Sequence, residues 1–366
     1  MLSSLSAGAQ GPVVLIGTYT EPKESKSEGV YLYRMDPSSG KLSYEAVIKG
    51  VPNVSFMAIH PQLGLIYAVS ETEEYEGKPG GGVNVLAANP SGNFNVLYKQ
   101  SSGGENPAYI SIEQTGRFAL VANYKSGNVV MLPIGNNGSL NPPSDVIQLV
   151  GSSAHPERQT GPHPHCILPD PTNRFAIAAD LGADKLLIYR MDLDAGKLQK
   201  HAEVDVEARS GPRHILFDST GHRAYLINEL NSTIILYDYD AAMGSLERRQ
   251  VVSILPELFS ERNLCGDFHF SSDEKHLYAS DRGHDSLVCF TVDSESGELA
   301  YQSHIPSNGH EPRIFAIDPS GQFIVAVHQK SHNAVTYRID HETGDLSHTG
   351  HEVELDMPVH VLFASG

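Results

Sequence analysis

The sequence predicts an all-β protein: a seven-bladed β-propeller of four-stranded antiparallel blades, with the ring closed by strands from both termini. Three observations lead to this prediction, namely a repeated Gly-x-Leu/Phe tripeptide, a second marker in phase with it, and two chain ends that complement each other. The 33 Gly and 22 Pro are spread between short apolar runs, which favours many turns and strands over long helices. Residues 1–366 are therefore expected to form a single domain, with 1–11 a flexible lead.

The tripeptide marks the blades. It occurs seven times, at intervals of 46 to 58 residues. The copies are Gly40-Lys-Leu42, Gly92-Asn-Phe94, Gly138-Ser-Leu140, Gly196-Lys-Leu198, Gly244-Ser-Leu246, Gly297-Glu-Leu299 and Gly344-Asp-Leu346. These intervals are close to the ~40–50 residues that one four-stranded blade needs.

A second marker is a Pro or Gly that opens an apolar strand in each unit. It occurs at Pro52, Pro107, Pro164, Pro212, Gly266, Pro312 and Pro358. Each opener is followed by a first strand, a turn such as Asp318-Pro-Ser-Gly321, and then a second and a third strand. The Gly-x-Leu turn and a fourth strand complete the unit, so each unit is predicted to be a four-stranded meander.

The two ends of the chain fit this phase only when they are joined. Residues 13–49 supply strands two to four of a unit that has no first strand, whereas 358–363 are a first strand with nothing after it. Together they are predicted to form one closing blade. Such closure removes the exposed strand edges that an open array would leave.

Composition limits the partners and the compartment. The 26 basic and 44 acidic residues give a formal net charge of −18, which argues against nucleic acid or an anionic membrane as a partner. Three cysteines without a CxxC pair indicate neither a zinc site nor a disulfide framework. The N-terminus lacks the pattern of a signal peptide, and no apolar run approaches the ~18 residues of a membrane span. We expect a cytoplasmic protein that is a monomer or a weak homo-oligomer.

Polar residues are predicted to converge at one mouth of the central channel, where the starts of the inner strands meet the ends of the second strands. The residue after each opener is, in order, Asn53, Ala108, His165, Arg213, Asp267, Arg313 and Val359. The second strands end on Glu71, Asn123, Asp180, Asn228-Glu229, Asp281-Arg282 and His328. Antiparallel pairing within one hairpin would bring Arg213 and His214 next to Glu229.

A structural role is the simpler interpretation for an isolated histidine such as His214 or His269, because buried polar side chains often form hydrogen bonds to neighbouring backbone groups. The set of His163, Arg213, Glu229 and Arg282 favours a functional role, since a structural role does not require two arginines facing one channel.

Metal and phosphate motifs are weak in this sequence. His163 and His165 are separated by one residue, and no acidic third ligand stands at a matching position. We therefore predict no metal site and no cofactor. The Gly80–Gly82 run lacks the lysine and helix of a phosphate-binding loop and is expected to be a turn.

Five stretches resemble the lactonase-type seven-bladed propeller family, which includes bacterial 6-phosphogluconolactonase and the fungal carboxy-cis,cis-muconate cyclase. They are GPHPHCILPDP (161–171), GPRHILFDSTG (211–221), LINELNSTI (226–234), CGDFHFSSDEKHLYASDRGHDSL (265–287) and PRIFAIDPSGQF (312–323). The resemblance covers essentially the whole chain. It implies the catalytic residues His163, Arg213, Glu229 and Arg282, with Asp267 and His269 in the strand between, and the sequence departs mildly from the family pattern at His165 and Gly266. We predict that the substrate-binding residues are His165, His214, Asp267, His269 and Arg313.

The activity that this resemblance implies is metal-independent hydrolysis of an anionic sugar lactone, 6-phosphogluconolactone, in the pentose phosphate pathway. Glu229 or His163 would activate water, and Arg213 and Arg282 would divide the oxyanion and the substrate's phosphate between them. Two alternatives stay open at this point. One is a lactonising lyase of the muconate type, and the other is a propeller that only binds a ligand or a protein.

Overall fold

The computed structural model describes residues 11–21, 24–90 and 92–364. Of the predicted flexible lead over 1–11, residues 1–10 lie outside the described residues. The regular structure of the described residues consists of strands alone. None of them belongs to a helix that is long and apolar enough to cross a membrane.

Thirty strands follow one another along the described residues. They are β1 (Val13–Thr18), β2 (Gly29–Met35), β3 (Leu42–Lys49), β4 (Met57–Ile59), β5 (Ile66–Ser70), β6 (Glu74–Tyr75), β7 (Lys78–Pro79), β8 (Gly82–Ala88), β9 (Phe94–Ser101), β10 (Pro107–Ile112), β11 (Phe118–Asn123), β12 (Asn128–Pro133), β13 (Asp145–Gln148), β14 (Pro164–Pro169), β15 (Phe175–Asp180), β16 (Lys185–Asp192), β17 (Lys197–Asp205), β18 (Pro212–Phe217), β19 (Arg223–Asn228), β20 (Thr233–Asp240), β21 (Ser245–Ser253), β22 (Leu264–Phe270), β23 (His276–Arg282), β24 (Ser286–Val292), β25 (Leu299–Pro306), β26 (Pro312–Ile317), β27 (Phe323–His328), β28 (Asn333–Ile339), β29 (Leu346–Glu354) and β30 (Pro358–Ala364).

Seven four-stranded antiparallel sheets form the blades, as predicted. Blade 1 has the order β3-β2-β1-β30 and blade 2 the order β4-β5-β8-β9, with the hairpin β6-β7 inserted between two of its strands. Blades 3 to 7 are β10 to β13, β14 to β17, β18 to β21, β22 to β25 and β26 to β29, each in sequence order. The inner strands β4, β10, β14, β18, β22, β26 and β30 contact one another in turn, and β30 returns to β4. The ring is therefore closed.

Closure depends on the pairing of β1 with β30. Val13 lies opposite Ala364 and Ile16 lies opposite Val361 in this antiparallel pair. The prediction of a ring closed by strands from both termini is confirmed.

A β-bulge near the start of an inner strand aims side chains at the channel mouth. In blade 5, Pro212 pairs with Asn228 and His214 pairs with Ile227, so Arg213 is an extra residue without a partner in the ladder. Bulges redirect side chains and are frequent next to functional sites. The same extra position is occupied by Val359, Ala108, His165 and Arg313 in blades 1, 3, 4 and 7.

Two of the predicted strand openers are misplaced. Pro52 lies outside any strand, because the first strand of blade 2 is short and begins only at Met57. Gly266 lies inside β22, which begins at Leu264 and shifts register between Cys265 and Phe268. A proline or glycine therefore lies near the start of each inner strand. It is the first residue of that strand in five of the seven blades.

The repeated glycine is a contact between neighbouring blades. Gly244 of blade 5 has φ +61°, and a Cβ added to it would lie 2.6 Å from the Phe175 ring of blade 4. The Tyr67 and Tyr225 hydroxyls donate to the carbonyl oxygens of Gly138 (2.6 Å) and Gly297 (2.7 Å) in the next blade. Apolar side chains from adjacent blades fill the space between them, as in the cluster that contains Phe175 and Tyr237. The Gly-x-Leu turn thus helps to lock one blade onto the next.

Candidate active site

The centre of the site is the Glu229 carboxylate, which follows β19 and is only 2 % exposed. Its Oε2 accepts hydrogen bonds from Arg213 Nη1 (3.0 Å) and is 2.9 Å from Arg282 Nη2. Its Oε1 accepts one from Arg158 Nη2 (2.6 Å). Three arginines from different parts of the ring therefore surround one carboxylate, and this arginine–glutamate cluster is locally cationic in a chain of net charge −18.

The arginines fix the charge state of Glu229. Burial alone would raise its pKa, but the positive charges of Arg282, Arg213 and Arg158 outweigh burial and hold the pKa of Glu229 well below its usual range. A carboxylate with such a low pKa is a weak general base. Glu229 is thus suited to anchoring the arginines.

Arg213 lies beneath the surface of the cluster. It is 1 % exposed, its Nε donates to the Gly266 carbonyl, and Nη1 also contacts His165 Nε2. Burial and the charge of Arg282 lower the pKa of Arg213 to about 9. The guanidinium is still protonated at neutral pH, but its charge is costly, and its Nη2 has no hydrogen-bond partner among the described residues.

Arg158 is the accessible cation of the cluster, whereas Arg282 is buried, with 7 % of its side chain exposed. Arg282 donates from Nε (3.1 Å) and Nη2 (2.5 Å) to the Cys265 carbonyl, which fixes the plane of its guanidinium. The Arg158 side chain is 29 % exposed. His155 shapes the loop that carries Arg158, because its Nδ1 accepts the backbone N–H of Arg158 at 3.2 Å.

His163 is connected to the cluster through Tyr124 and Arg158. Its ring stacks on Tyr124, with centroids 4.6 Å apart, and the Tyr124 hydroxyl is bonded to Arg158 Nη2 (3.0 Å). His163 Nδ1 lies 2.9 Å from the Tyr124 carbonyl oxygen, and since a carbonyl only accepts, Nδ1 carries the proton. In the neutral ring the lone pair is then on Nε2, which is the arrangement of a general base.

His165 lies deeper than His163. His163 precedes β14 and His165 occupies a bulge, so the alternation of a regular strand does not apply to this pair. Both rings contact Tyr124, with the His165 and Tyr124 centroids 5.6 Å apart. Burial and the charge of Arg213 hold the pKa of His165 well below its usual range, so it is neutral and Nε2 accepts from Arg213.

Three more of the predicted residues, His214, Asp267 and His269, are joined by hydrogen bonds. Asp267 accepts from His214 Nδ1 (2.8 Å) and His269 Nε2 (2.8 Å). Burial, followed by Arg213, lowers the pKa of His214 to about 4. Burial lowers the pKa of His269 as well, but the Asp267 charge outweighs it, so that pKa is raised. The His269 side chain is the accessible member, at 37 % exposed.

Arg313 belongs to a second cation–carboxylate pair. Its guanidinium lies 5.4 Å from the centre of the Tyr19 ring, and its Nη2 is 3.6 Å from Glu71 Oε2. The Tyr19 hydroxyl donates to the same carboxylate at 3.0 Å. The structure thus brings Arg213, Glu229 and Arg282 into direct contact and places Arg313 in a pair of its own.

Sequence reasoning missed Tyr19, Tyr124 and Arg158. The two tyrosines occupy the repeat position of Glu229, directly after the second strand, where the backbone N–H bonds to the residue preceding the inner strand. The residues at this position are Tyr19, Glu71, Tyr124, Leu181, Glu229 and Gln329. Two extensions of the repeat alignment would have identified both tyrosines: one to the residue after Asn123, and one to the residue after the second strand of blade 1. Arg158 lies in the insertion that makes the Gly138 to Gly196 interval the longest one.

The structure also brings together three potential metal ligands that sequence reasoning did not single out as a group. Potential ligand atoms of Asp281, His284 and His304 lie within 4.8 Å of one another. The spacing of these residues along the chain gave no signal, because pairing of the strands in blade 6 brings them together.

The fold and the cluster together define a seven-bladed β-propeller with an arginine-rich polar site at one mouth of its channel. A sequence model of the family described as "Lactonase, 7-bladed beta-propeller" matches residues 13–363. The chain belongs to this family.

Individual relatives extend over nearly the full chain. The 6-phosphogluconolactonase of Bacillus subtilis is 32% identical over 348 residues, which cover 95% of this chain and 97% of the relative. The 6-phosphogluconolactonase of Formosa agariphila is 30% identical over 350 residues, covering 91% of this chain and 94% of the relative. The solved structure of a periplasmic gluconolactonase from Pseudomonas aeruginosa has a TM-score of 0.91 and 32% identity, covering 97% of this chain and 99% of that one.

Proposed function

We propose that this protein is a lactonase that hydrolyses 6-phosphogluconolactone to 6-phosphogluconate, a step of the pentose phosphate pathway. Membership of the lactonase family and relatives that carry the name 6-phosphogluconolactonase support the reaction class. The observation that supports an anionic substrate most directly is the cluster of Arg158, Arg213 and Arg282 around Glu229. With a net charge of −18, the chain attracts an anion only where cations are gathered locally.

In this mechanism His163 is the general base. Its Nε2 takes a proton from water while the water oxygen adds to the lactone carbonyl carbon. The oxyanion that forms is stabilised by an arginine of the cluster. The bond between that carbon and the ring oxygen then breaks, and the proton returns from His163 to the ring oxygen. Glu229 was the other candidate base, but three arginines hold its carboxylate.

The exposure of each arginine determines whether we assign it to the oxyanion or to the phosphate. Arg282, fixed by the Cys265 carbonyl, faces the oxyanion, and the more exposed Arg158 binds the phosphate. Arg213 and Glu229 hold both in place. The predicted contacts of substrate with His165, His214, Asp267, His269 and Arg313 stay predictions.

The hydrolysis itself is assigned no metal ion and no cofactor. A cytoplasmic location and a monomeric or weakly associated state also belong to this proposal. All three cysteines are buried and free, which suits a reducing compartment.

The proposal is tested by alkali uptake at constant pH. We expect uptake on addition of 6-phosphogluconolactone, a weaker response to unphosphorylated gluconolactone, and an unchanged rate in EDTA. No uptake with either lactone would refute hydrolysis. A changing ultraviolet absorbance with a muconate would favour the lyase, and a rate lost in EDTA and restored by a divalent cation would refute the metal-free mechanism.

A further inference from the structure

Blade 6 holds a group of titratable side chains that the proposed hydrolysis does not use. Asp281 is near the end of β23, His284 is in the turn to β24, and His304 is on the outermost strand β25. One potential ligand atom from each lies within 4.8 Å of the other two. The two imidazole rings meet edge to face, with centroids 5.4 Å apart. We name these three residues the blade 6 triad.

Asp281 is the unusual member of the triad. Its side chain is fully buried, and neither carboxylate oxygen has a hydrogen-bond partner of normal geometry among the described residues. The Asn263 amide donates to Ser232 Oγ at 2.8 Å and also lies close enough to Asp281 to stabilise its charge. A buried carboxylate with so few partners is unfavourable unless another group, such as a bound cation, compensates it.

Both histidines have the surroundings that metal-binding histidines need. A metal-bound imidazole generally keeps a hydrogen bond on its other nitrogen. His284 Nδ1 is bonded to Ser286 Oγ at 2.9 Å. His304 is bonded through Nδ1 to the Tyr301 hydroxyl (2.9 Å) and through Nε2 to the Ile254 carbonyl (2.7 Å), so it would keep one bond and give up the other.

We propose that the blade 6 triad binds a divalent transition-metal ion such as zinc, with water in the remaining position. One carboxylate and two imidazoles are donors that zinc accepts, at about 2.0–2.2 Å from the metal. Ligand atoms at a tetrahedral ion are about 3.4 Å apart, so distances within the triad would contract by up to about 1.4 Å from the 4.8 Å limit. The ion would join the turn between β23 and β24 to the outermost strand. It lies outside the arginine–glutamate cluster, and the site does not depend on the proposed hydrolysis.

Calorimetric titration of the full chain with zinc chloride, after EDTA treatment and gel filtration, tests the site. We expect one zinc ion per chain with wild-type protein and at least ~10-fold weaker binding with Asp281→Asn, His284→Ala and His304→Ala. His348→Ala is the matched control, because His348 lies exposed on the outermost strand of blade 7. Its zinc affinity should equal that of the wild type.

A second measurement guards against variants that fold poorly. Zinc at about 100 times its dissociation constant should raise the Tm of the wild type by at least ~2 °C and raise the Tm of each folded triad variant by no more than about half as much. Cobalt(II) added to the wild type should give visible absorption bands that zinc abolishes. Absence of zinc binding and of cobalt bands in the wild type would overturn the proposal, as would equal binding by the wild type and all folded triad variants.

Discussion

At the scale of single residues, Glu229 and His163 show how the contacts of a side chain decide its role. Glu229 anchors arginines and His163 is the proposed general base, although either residue type could serve as a base. Both are able to accept a proton, and the sequence places both near the channel mouth. Three arginines hold Glu229 as a carboxylate, whereas the Tyr124 carbonyl leaves the lone pair of His163 on Nε2. This distinction depends on contacts from blades far apart in sequence, and for that reason sequence reasoning could not make it.

His163→Asn tests the role of the base. The asparagine amide can still donate to the Tyr124 carbonyl but has no lone-pair nitrogen, so kcat should fall ~10²–10⁴-fold while Tm stays the same. Alkali uptake gives the rate and circular dichroism gives the Tm. A variant that retains a third of the wild-type rate would exclude His163 as the base.

Arg213→Lys tests the geometry of the cluster. Lysine keeps the charge but has no planar fork, and Arg213 uses Nε and Nη1 for separate partners. We expect a folded variant whose kcat/KM is at least ~10-fold lower, equivalent to about 1.4 kcal/mol of transition-state stabilisation. Arg248→Lys, an exposed site, is the control. Wild-type turnover by Arg213→Lys would show that the guanidinium of Arg213 does not position the cluster.

Buried histidines should make the protein sensitive to acid. Burial lowers the pKa of His328 to about 4, whereas in the unfolded chain it is about 6.5. Between these values the unfolded state binds more protons, so stability is fully present above pH ~6.5 and falls as the pH drops towards 4. From pH 7.5 to 5 this group should lower the free energy of unfolding by about 2 kcal/mol.

The test compares urea unfolding of the wild type and His328→Asn at pH 7.5 and pH 5. The variant should lose about 2 kcal/mol less than the wild type over this interval. His348→Asn, which changes an exposed histidine, should behave like the wild type. Equal losses in all three proteins would show that His328 does not carry the effect.

At the scale of elements, the repeat glycine and the bulge differ in how far the sequence reveals them. The Gly-x-Leu/Phe copies predicted the number of blades, because a tight turn is needed once per blade. The bulge at Arg213 could not be predicted, since it depends on the register between β18 and β19. Strand openers were accordingly assigned well at Pro212 but wrongly at Pro52.

Gly244→Ala should destabilise more than Gly92→Ala. Both glycines have positive φ, at +61° and +87°, so each alanine is strained by about 1–2 kcal/mol. Only at Gly244 would the added Cβ also meet the Phe175 ring, whereas nothing among the described residues lies within 4 Å of it at Gly92. Overpacking adds about 1–3 kcal/mol at Gly244, and urea unfolding measures the difference. Equal losses would show that this turn does not lock the blades.

At the scale of the whole molecule, β30 is the strand on which the ring depends. Deleting Pro358–Gly366 removes the buried side chains of Val359, Val361 and Phe363, each of which contributes about 1.5–3 kcal/mol. The deletion also exposes the edge of β1. We expect insoluble protein or a Tm far below that of the wild type. A truncated chain that melts at the wild-type temperature would show that the ring closes in another way.

The pairing of β1 with β30 also sets an order of events during synthesis. The strands β1, β2 and β3 are complete at Lys49, but their partner begins at Pro358. At about 5–20 residues per second, a ribosome needs roughly 15 to 60 s to cover that distance. Throughout this time β1 has an unpaired edge that another nascent chain could occupy, so the N-terminal blade is the part of this protein most exposed to misassembly while it is being made.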